Sequence, residues 1–215
     1  MQYGVFSDVH GNLAALQAVW RALDMEGLTD GRHLLNAGDN VGYGGQPQAC
    51  VGFLRLQPGL VSVKGNYDKN VALFPERAAE YRKKWGRARP EKLEAIRRDS
   101  LAISDAARRW LVDLPGEASL TPEGVPLVLT HYAPGSKEGL GSWTPDARLV
   151  ELAQATTARV VVCGHTHTPF VRDIGGVLWV NPGSAGRSWD GQFRYAVLTL
   201  APDRPPAAEL RRAGG

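Results

Sequence analysis

The stretch Tyr3-Gly4-Val5-Phe6-Ser7-Asp8-Val9-His10-Gly11-Asn12 decides the fold, because it joins two hydrophobic periodicities across one polar turn. Residues 3–6 are a short run of strand formers, and SDVHGN after them reads as a turn. Asn12 can satisfy the free N–H groups of a helix start, and Leu13, Leu16, Trp20 and Leu23 then recur at helical spacing until Gly27. Residues 33–37 repeat the strand signal and stop at Gly38-Asp39. Pro47 opens a second helix through Cys50, Phe53 and Leu54, and residues 60–63 read as a third strand. Strand, helix, strand, helix, strand predicts a largely parallel sheet with crossover helices.

Residues 74–114 break that rhythm. Pro75 and Pro90 start two charged helical stretches, and Ser104 caps a third that ends near Pro115. Strands return at 117–121 and 125–130, around the hairpin signal Pro122-Glu123-Gly124. Thr144-Pro145 begins a helix to about 156, and residues 159–163 return as a buried strand. Residues 170–174 and 177–181 pair around Gly175-Gly176, a turn suited to positive φ. Residues 193–200 form a further strand, followed by a Pro-rich turn and a short tail. With no repeat or linker, residues 1–215 read as one α/β domain.

Composition narrows the function classes. The 43% hydrophobic and 22% charged fractions suit an ordinary globular protein. No apolar run reaches membrane-spanning length, and the N-terminus enters the first motif without a basic leader, so neither membrane partner nor secretion signal is expected. Cys50 and Cys163 lie in a helical and an apolar strand pattern, which reads as core thiols in a reducing, cytoplasmic compartment. The net charge of +3 permits anionic substrates without demanding nucleic acid. Nine Lys or Arg residues fall between Arg77 and Arg98, but glutamates are interspersed and no aromatics alternate with them. That stretch reads as a solvated helical face, not a dedicated nucleic-acid-binding region.

The chemistry sits in five short motifs, each ending an apolar run: Asp8 and His10 in SDVHGN, Asp39 in GDNVG, Asn66 in GNYD, His131 in LVLTHY, and His165 with His167 in GHTH. Sites in open α/β sheets gather beyond the carboxyl ends of strands, so the five segments are expected on one rim. Carboxylate, imidazole and amide oxygen together suit Mn²⁺ first, and Fe²⁺, Ni²⁺, Co²⁺ or Zn²⁺ otherwise, better than Ca²⁺. Seven side chains exceed one tetrahedral zinc and suit two divalent ions sharing a carboxylate. Such a pair can hold a bridging hydroxide and stabilise an in-line displacement at phosphorus. His33 has no ligand-like neighbours and reads as a strand-edge surface residue.

The ordered series D-x-H, GD, GN, H and GHxH resembles that of calcineurin-like metallophosphoesterases, from SDVHGN to NPGSAG at 181–186. The resemblance implies a two-sheet sandwich flanked by helices, an αββα architecture. It also implies that Asp8, His10 and His167 bind one metal, that Asn66, His131 and His165 bind a second, and that Asp39 bridges them. Asn181 and Ser184 would line the mouth of the site. The chain departs from the best-known members where their GNH histidine acid is replaced by Tyr67, and where the aspartate and arginine of GDxVDRG become Gly42 and Tyr43. Those departures speak against a phosphoprotein phosphatase and match small bacterial and archaeal phosphodiesterase-type members. Tyr67 is then a candidate proton donor, joining Asp39, Asn66 and His131 in catalysis, or an aromatic packed beside the site. Arg187 is a candidate phosphate contact, and the loop tryptophans Trp143 and Trp189 are candidates for stacking on a base or for anchoring their loops.

The expectation is a dinuclear phosphodiesterase acting on a small phosphodiester, nucleotides included. A phosphomonoesterase or dinucleoside polyphosphate hydrolase is the alternative within enzymes. A protein-interaction scaffold, as in the retromer subunit of the superfamily, is the alternative outside them. A scaffold has no need of all seven ligands.

Overall fold

The computed structural model describes residues 1–30 and 34–214, and its strands fall into two five-stranded sheets. In the first, β1 (Gln2–Phe6), β2 (Leu34–Asn36) and β3 (Leu60–Ser62) run parallel. β9 (Phe193–Thr199) and β10 (Ala207–Ala213) extend it antiparallel beyond β1. In the second, β5 (Leu127–Thr130), β6 (Val160–Val162) and β8 (Val177–Asn181) are the parallel centre. β4 (Glu117–Leu120) and β7 (Phe170–Ile174) are its antiparallel edges.

Period-two alternation assigns the faces. Tyr3, Val5, Leu35 and Val63 point between the sheets, where they meet Leu127, Leu129, Val160, Val162 and Val180. Phe6 and Leu34 point the other way, onto Leu16, Val19 and Leu23 of α1 (Leu13–Met25) and Leu54 of α2 (Pro47–Arg55). Behind the second sheet, Val161 and Trp179 meet Leu149 and Leu152 of α7 (Asp146–Gln154). The result is the αββα sandwich expected from the sequence. Each fully buried leucine, such as Leu23, contributes about 1.5–3 kcal/mol to holding a helix on its sheet. The Asn12 cap forms as read, its side chain accepting from the Ala15 amide at 3.1 Å.

Four helices make a separate block beside the site: α3 (Asn66–Ala72), α4 (Phe74–Trp85), α5 (Pro90–Ala102) and α6 (Asp105–Asp113). Val71, Tyr81, Ile96 and Leu111 pack at its centre. Arg108 ties three of the helices together, donating to the carbonyls of Val71, Ala72 and Ser100. No helix among the described residues is long and apolar enough to cross a membrane.

Two elements differ from the sequence reading. The short tail is β10, paired with β9 along its whole length from Ala207↔Thr199 to Ala213↔Phe193. It is an edge strand whose exposed positions carry Glu209, Arg211 and Arg212, so no apolar alternation announces it. The second is α3, which starts on the GNYD motif itself, with Asp68 reaching back to the Gly65 amide at 2.9 Å as a capping residue. The strand expected at 33–37 is Leu34–Asn36, and His33 lies outside the described residues.

Candidate metal centre

Because β1, β2 and β3 are parallel, and β5 and β6 likewise, the motif residues leave the carboxyl ends of both sheets toward one rim. The turns that carry them are strained. Asp8, His10, Asp39, His165 and His167 have φ between 51° and 69°, and they are five of the seven non-glycine residues with positive φ among those described. Such a conformation disfavours an L side chain by about 1–3 kcal/mol, and persists only where surrounding bonds over-determine it. Here the Asp8 amide donates to Gly38, the His10 amide to Asp39, and the Gly11 amide to Asn40, each at 2.9 Å. Gly65 is required for a different reason. A Cβ there would lie 2.1 Å from the Asp39 carboxylate.

Five side chains converge directly. Asp8, His10 and His167 form one group with ligand atoms within 4.8 Å of one another, and Asp8, Asp39 and His131 form a second. His167 Nε2 lies 3.2 Å and His10 Nε2 3.6 Å from Asp8 Oδ1. Asp39 Oδ2 stands between His131 Nε2 at 3.4 Å and His10 Nε2 at 3.9 Å. Asn66 and His165 flank the second group and line the same cleft of about 190 Å³ as His10, Asp39, Tyr67 and His167. Asn66 Oδ1 accepts from the Tyr132 hydroxyl, and the His165 ring lies against Tyr132 and His131 with centroids 4.6 and 5.1 Å away.

Hydrogen bonds to the far ring nitrogens settle the tautomers. His131 Nδ1 donates to the Ala37 carbonyl and His167 Nδ1 to the Arg187 carbonyl, both at 2.7 Å. In the neutral rings each Nε2 therefore presents a lone pair inward. His10 Nε2 can donate to His167 Nε2 at 3.0 Å, while Asp8 Oδ1 and His131 Nε2 are buried acceptors with no hydrogen-bond partner. Buried acceptors facing one another are unfavourable unless a cation lies among them, so the residues fit divalent metal. Electrostatics agree. Burial pushes the Asp8 and Asp39 carboxyls up, but the charge of the His167 imidazole beside one, and of His131 beside the other, leads the effects that outweigh it and hold both down. Burial alone would lower His131, yet Asp39 and Asp8 raise it to about 9. The carboxylates thus hold a positive charge on the nearest ring, a charge that a divalent ion supplies as well.

Supporting residues explain the geometry. Asp68 is buried and accepts from the amides of Asp39, Asn40 and Gly65 and from the Asn40 side chain, binding the GD and GN loops to each other. Burial and the Asp39 charge push its carboxyl up to about 7 against the pull of the Gly65 and Asn40 amides. Asn181 and Ser184 do not line the mouth. Both are fully buried. Asn181 donates to the Gly164 and Leu140 carbonyls, whereas Ser184 donates to the Asp8 carbonyl at 2.8 Å and accepts from the Arg187 amide at 2.7 Å. They position the ligand loops from beneath.

Tyr67 lines the cleft with 8% exposure. Its amide donates to Asp39 Oδ1 at 2.7 Å, and its hydroxyl donates to that of Tyr43 at 2.5 Å. Burial, and then Tyr43, raise its phenol above the ordinary value of 10. The Arg187 guanidinium sits 3.9 Å from the Tyr43 ring centroid, so a loop distant in sequence restores a cation where the GDxVDRG arginine is missing. Trp189, 84% exposed, also borders the cleft, while Trp143 is not among the residues lining it. Sequence reasoning missed Arg89 and Lys92, which line the cleft, and Tyr132. Only Tyr132 had a signal, following His131 directly.

An αββα sandwich with carboxylates and imidazoles at its strand ends defines a metal-site class of protein, and comparison with known sequences places the chain within it. Residues 1–203 match the calcineurin-like phosphoesterase superfamily domain, and the chain belongs to that family. It is 29% identical over 202 residues to an uncharacterized protein of Methanocaldococcus jannaschii, covering 87% of this chain and 77% of the relative. Among solved structures it is similar to a metallophosphoesterase from Sphaerobacter thermophilus, with a TM-score of 0.73 and 24% identity over 100% of this chain and 89% of that one. A hypothetical protein from Pyrococcus horikoshii shares the fold with a TM-score of 0.84 at 16% identity, over 99% and 87% of the two chains.

Proposed function

We propose that the protein is a dinuclear metal-dependent phosphodiesterase acting on a small phosphodiester, with residues 1–215 forming one catalytic domain in a reducing, cytoplasmic setting. The carrying observation is the pair of buried carboxylate–imidazole groups that share Asp8 and face one another across Asp39. In this reading Asp8, His10 and His167 hold one ion, and Asn66, His131 and His165 hold the other. Asp39, whose oxygen stands between His10 and His131, would be the ligand shared by both. Mn²⁺ is the first candidate, with Fe²⁺, Ni²⁺, Co²⁺ or Zn²⁺ as alternatives. When bound, two such ions activate water and neutralise charge on the phosphoryl group.

The chain's own residues divide the remaining work. Arg187 supplies a positive charge at the cleft, and Tyr67 offers a hydroxyl for the leaving oxygen. Asp68 and Ser184 keep the ligand loops in register. Preference for a diester is supported by the missing histidine acid and by a larger cavity adjoining the cleft, which gives room for a second ester group. The test is kcat/KM for bis(p-nitrophenyl) phosphate and p-nitrophenyl phosphate under the best metal, together with metal analysis of the replete protein. A clear monoester preference, or saturation at one ion with full activity, rejects the reading.

A further inference from the structure

The cavity beside the metal centre has a volume of about 1030 Å³, near the upper end for small-molecule sites, and shares Asn66, Arg89, Lys92 and His165 with the catalytic cleft. Seven of the twenty residues lining it are Lys or Arg, against one carboxylate, Glu80, which is already paired with Arg77 at 2.8 Å. Lys69 comes from α3, Lys84 from α4, Arg89 from the turn between helices, and Lys92 from α5. None of these four makes a salt bridge among the described residues. Lys92 stands at the junction, its ammonium 4.7 Å from the Tyr67 ring centroid and 5.0 Å from that of Trp85, and the Lys84 ammonium is 5.3 Å from the same Trp85 centroid. Burial lowers the Lys92 pKa, with Arg89 and Lys84 adding to it against the pull of Asp39.

Unpaired cations from separate elements that face one concave wall repel one another, and such a wall favours a ligand carrying several negative charges. Of the basic stretch, Arg77, Lys84, Arg89 and Lys92 border this cavity, with Lys84 and Arg89 also exposed to solvent as the sequence reading has it. A single-stranded nucleic acid would also be anionic, but it needs exposed rings on which bases stack. Of the rings lining the cavity, Tyr81 and Trp85 are buried and Tyr132 is half-buried with its hydroxyl on Asn66, while the exposed Trp189 borders only the smaller cleft.

We propose that the substrate carries at least one further phosphate beside the one that reacts, held in this trough by Lys69, Lys84, Arg89 and Lys92. This proposal rests on the phosphodiesterase reading for its chemistry, and it makes the ligand a small molecule with a polyphosphate or a second phosphoryl group.

The test is calorimetric titration of the metal-replete full chain, at a fixed free Mn²⁺ concentration, with inorganic tripolyphosphate, orthophosphate and a twenty-residue oligothymidylate. Tripolyphosphate should bind about tenfold more tightly than orthophosphate or better, and the variant Lys69→Gln/Lys84→Gln/Arg89→Gln should lose about that factor. The charge-conserving variant Lys69→Arg/Lys84→Arg/Arg89→Lys should retain it, which separates charge from folding. Equal affinity for the two phosphates, or binding unchanged in the glutamine variant, overturns the proposal. So does oligothymidylate that binds more tightly than tripolyphosphate and is lost in the same variant, which would make the trough a nucleic-acid groove. Calorimetry reads the trough whether or not any ester is cleaved. Tripolyphosphate binding without diester hydrolysis therefore counts against the phosphodiesterase reading, and hydrolysis without that binding counts against this one.

Discussion

Tyr67→Phe removes one oxygen from the cleft and separates two roles for the residue. Structurally the change deletes a single hydrogen bond to Tyr43. A neutral bond of that kind contributes about 0.5–1.5 kcal/mol. In a protein of this size the melting temperature should fall by about 1–6 °C, too little to empty the folded state. Catalytically the expected loss depends on the leaving group. A phenol raised above its ordinary value is still a stronger acid than an alkanol but a weaker one than nitrophenol. Its proton therefore helps an alkoxide depart and does little for nitrophenolate. General acids supply about 10²–10⁴-fold, and the low end applies here because the hydroxyl must first leave Tyr43. An alkyl diester should lose about 10²-fold in kcat/KM, or about 2.7 kcal/mol, and bis(p-nitrophenyl) phosphate about 2–3-fold. The assay follows alcohol release from the first substrate and nitrophenolate from the second under one metal. Equal losses on both refute proton donation and leave Tyr67 as packing against His10, whose ring centroid is 5.1 Å away.

Three further outcomes are expected. Ser184→Ala leaves the Arg187 amide without its partner and the Asp8 carbonyl with only the Gly186 amide at 3.0 Å, so it should cost about 1–3 kcal/mol in thermal unfolding and weaken metal binding; unchanged metal affinity would show that the bond to Asp8 positions nothing. His131 is raised from 6.5 to about 9, so its contribution to stability is complete below pH 6.5 and lost as the pH climbs through 9. Metal-free protein should accordingly melt at lower temperature across that window, metal binding should release protons there, and a flat metal-free profile would contradict the coupling to Asp39. Gly42→Asp, the change that restores the family's orienting carboxylate, should destabilise the fold by about 2 kcal/mol or more. Its φ is +103° and its Cβ would lie 2.6 Å from Tyr67 Cδ1, so adding Tyr67→His should recover part of the loss in a melting experiment but not all of it.

The legible parts of this protein are those whose signals are local. Asp8, His10, Asp39, His131, His165 and His167 each stand just beyond a run of strand formers, so residue type and position together pointed to one rim. The parallel strands of the first sheet followed from alternating strand and helix signals, whereas the two-sheet sandwich came from the resemblance of the ordered motifs to the family. β10 escaped because an edge strand bearing Glu209, Arg211 and Arg212 needs only its backbone to pair. α3 escaped because it begins inside a motif and has no apolar run of its own. Asn181 and Ser184 were assigned to the wrong place, since their work is done through buried bonds to main-chain groups that no motif displays. The cationic trough lay beyond sequence reasoning for a geometric reason. Lys69, Lys84, Arg89 and Lys92 come from separate elements, and a helical wheel drawn for any one of them shows only a charged face.

The place of β1 in its sheet bears on how the molecule is made. That strand is the first in the chain, yet it is bonded on one side by β2 and on the other by β9, and the ammonium of Met1 donates to the Leu200 carbonyl at 2.6 Å. Asp8 emerges from β1, and its carbonyl is held by Ser184. During synthesis the loop of Asp8 therefore cannot close until Ser184, 176 residues further on, has left the ribosome. Pairings this distant make folding slow, and until they form the edge of β1 lies open to other strands. The metal centre is in this sense a late assembly, since its first ligand loop is locked by a strand and a serine made long after it.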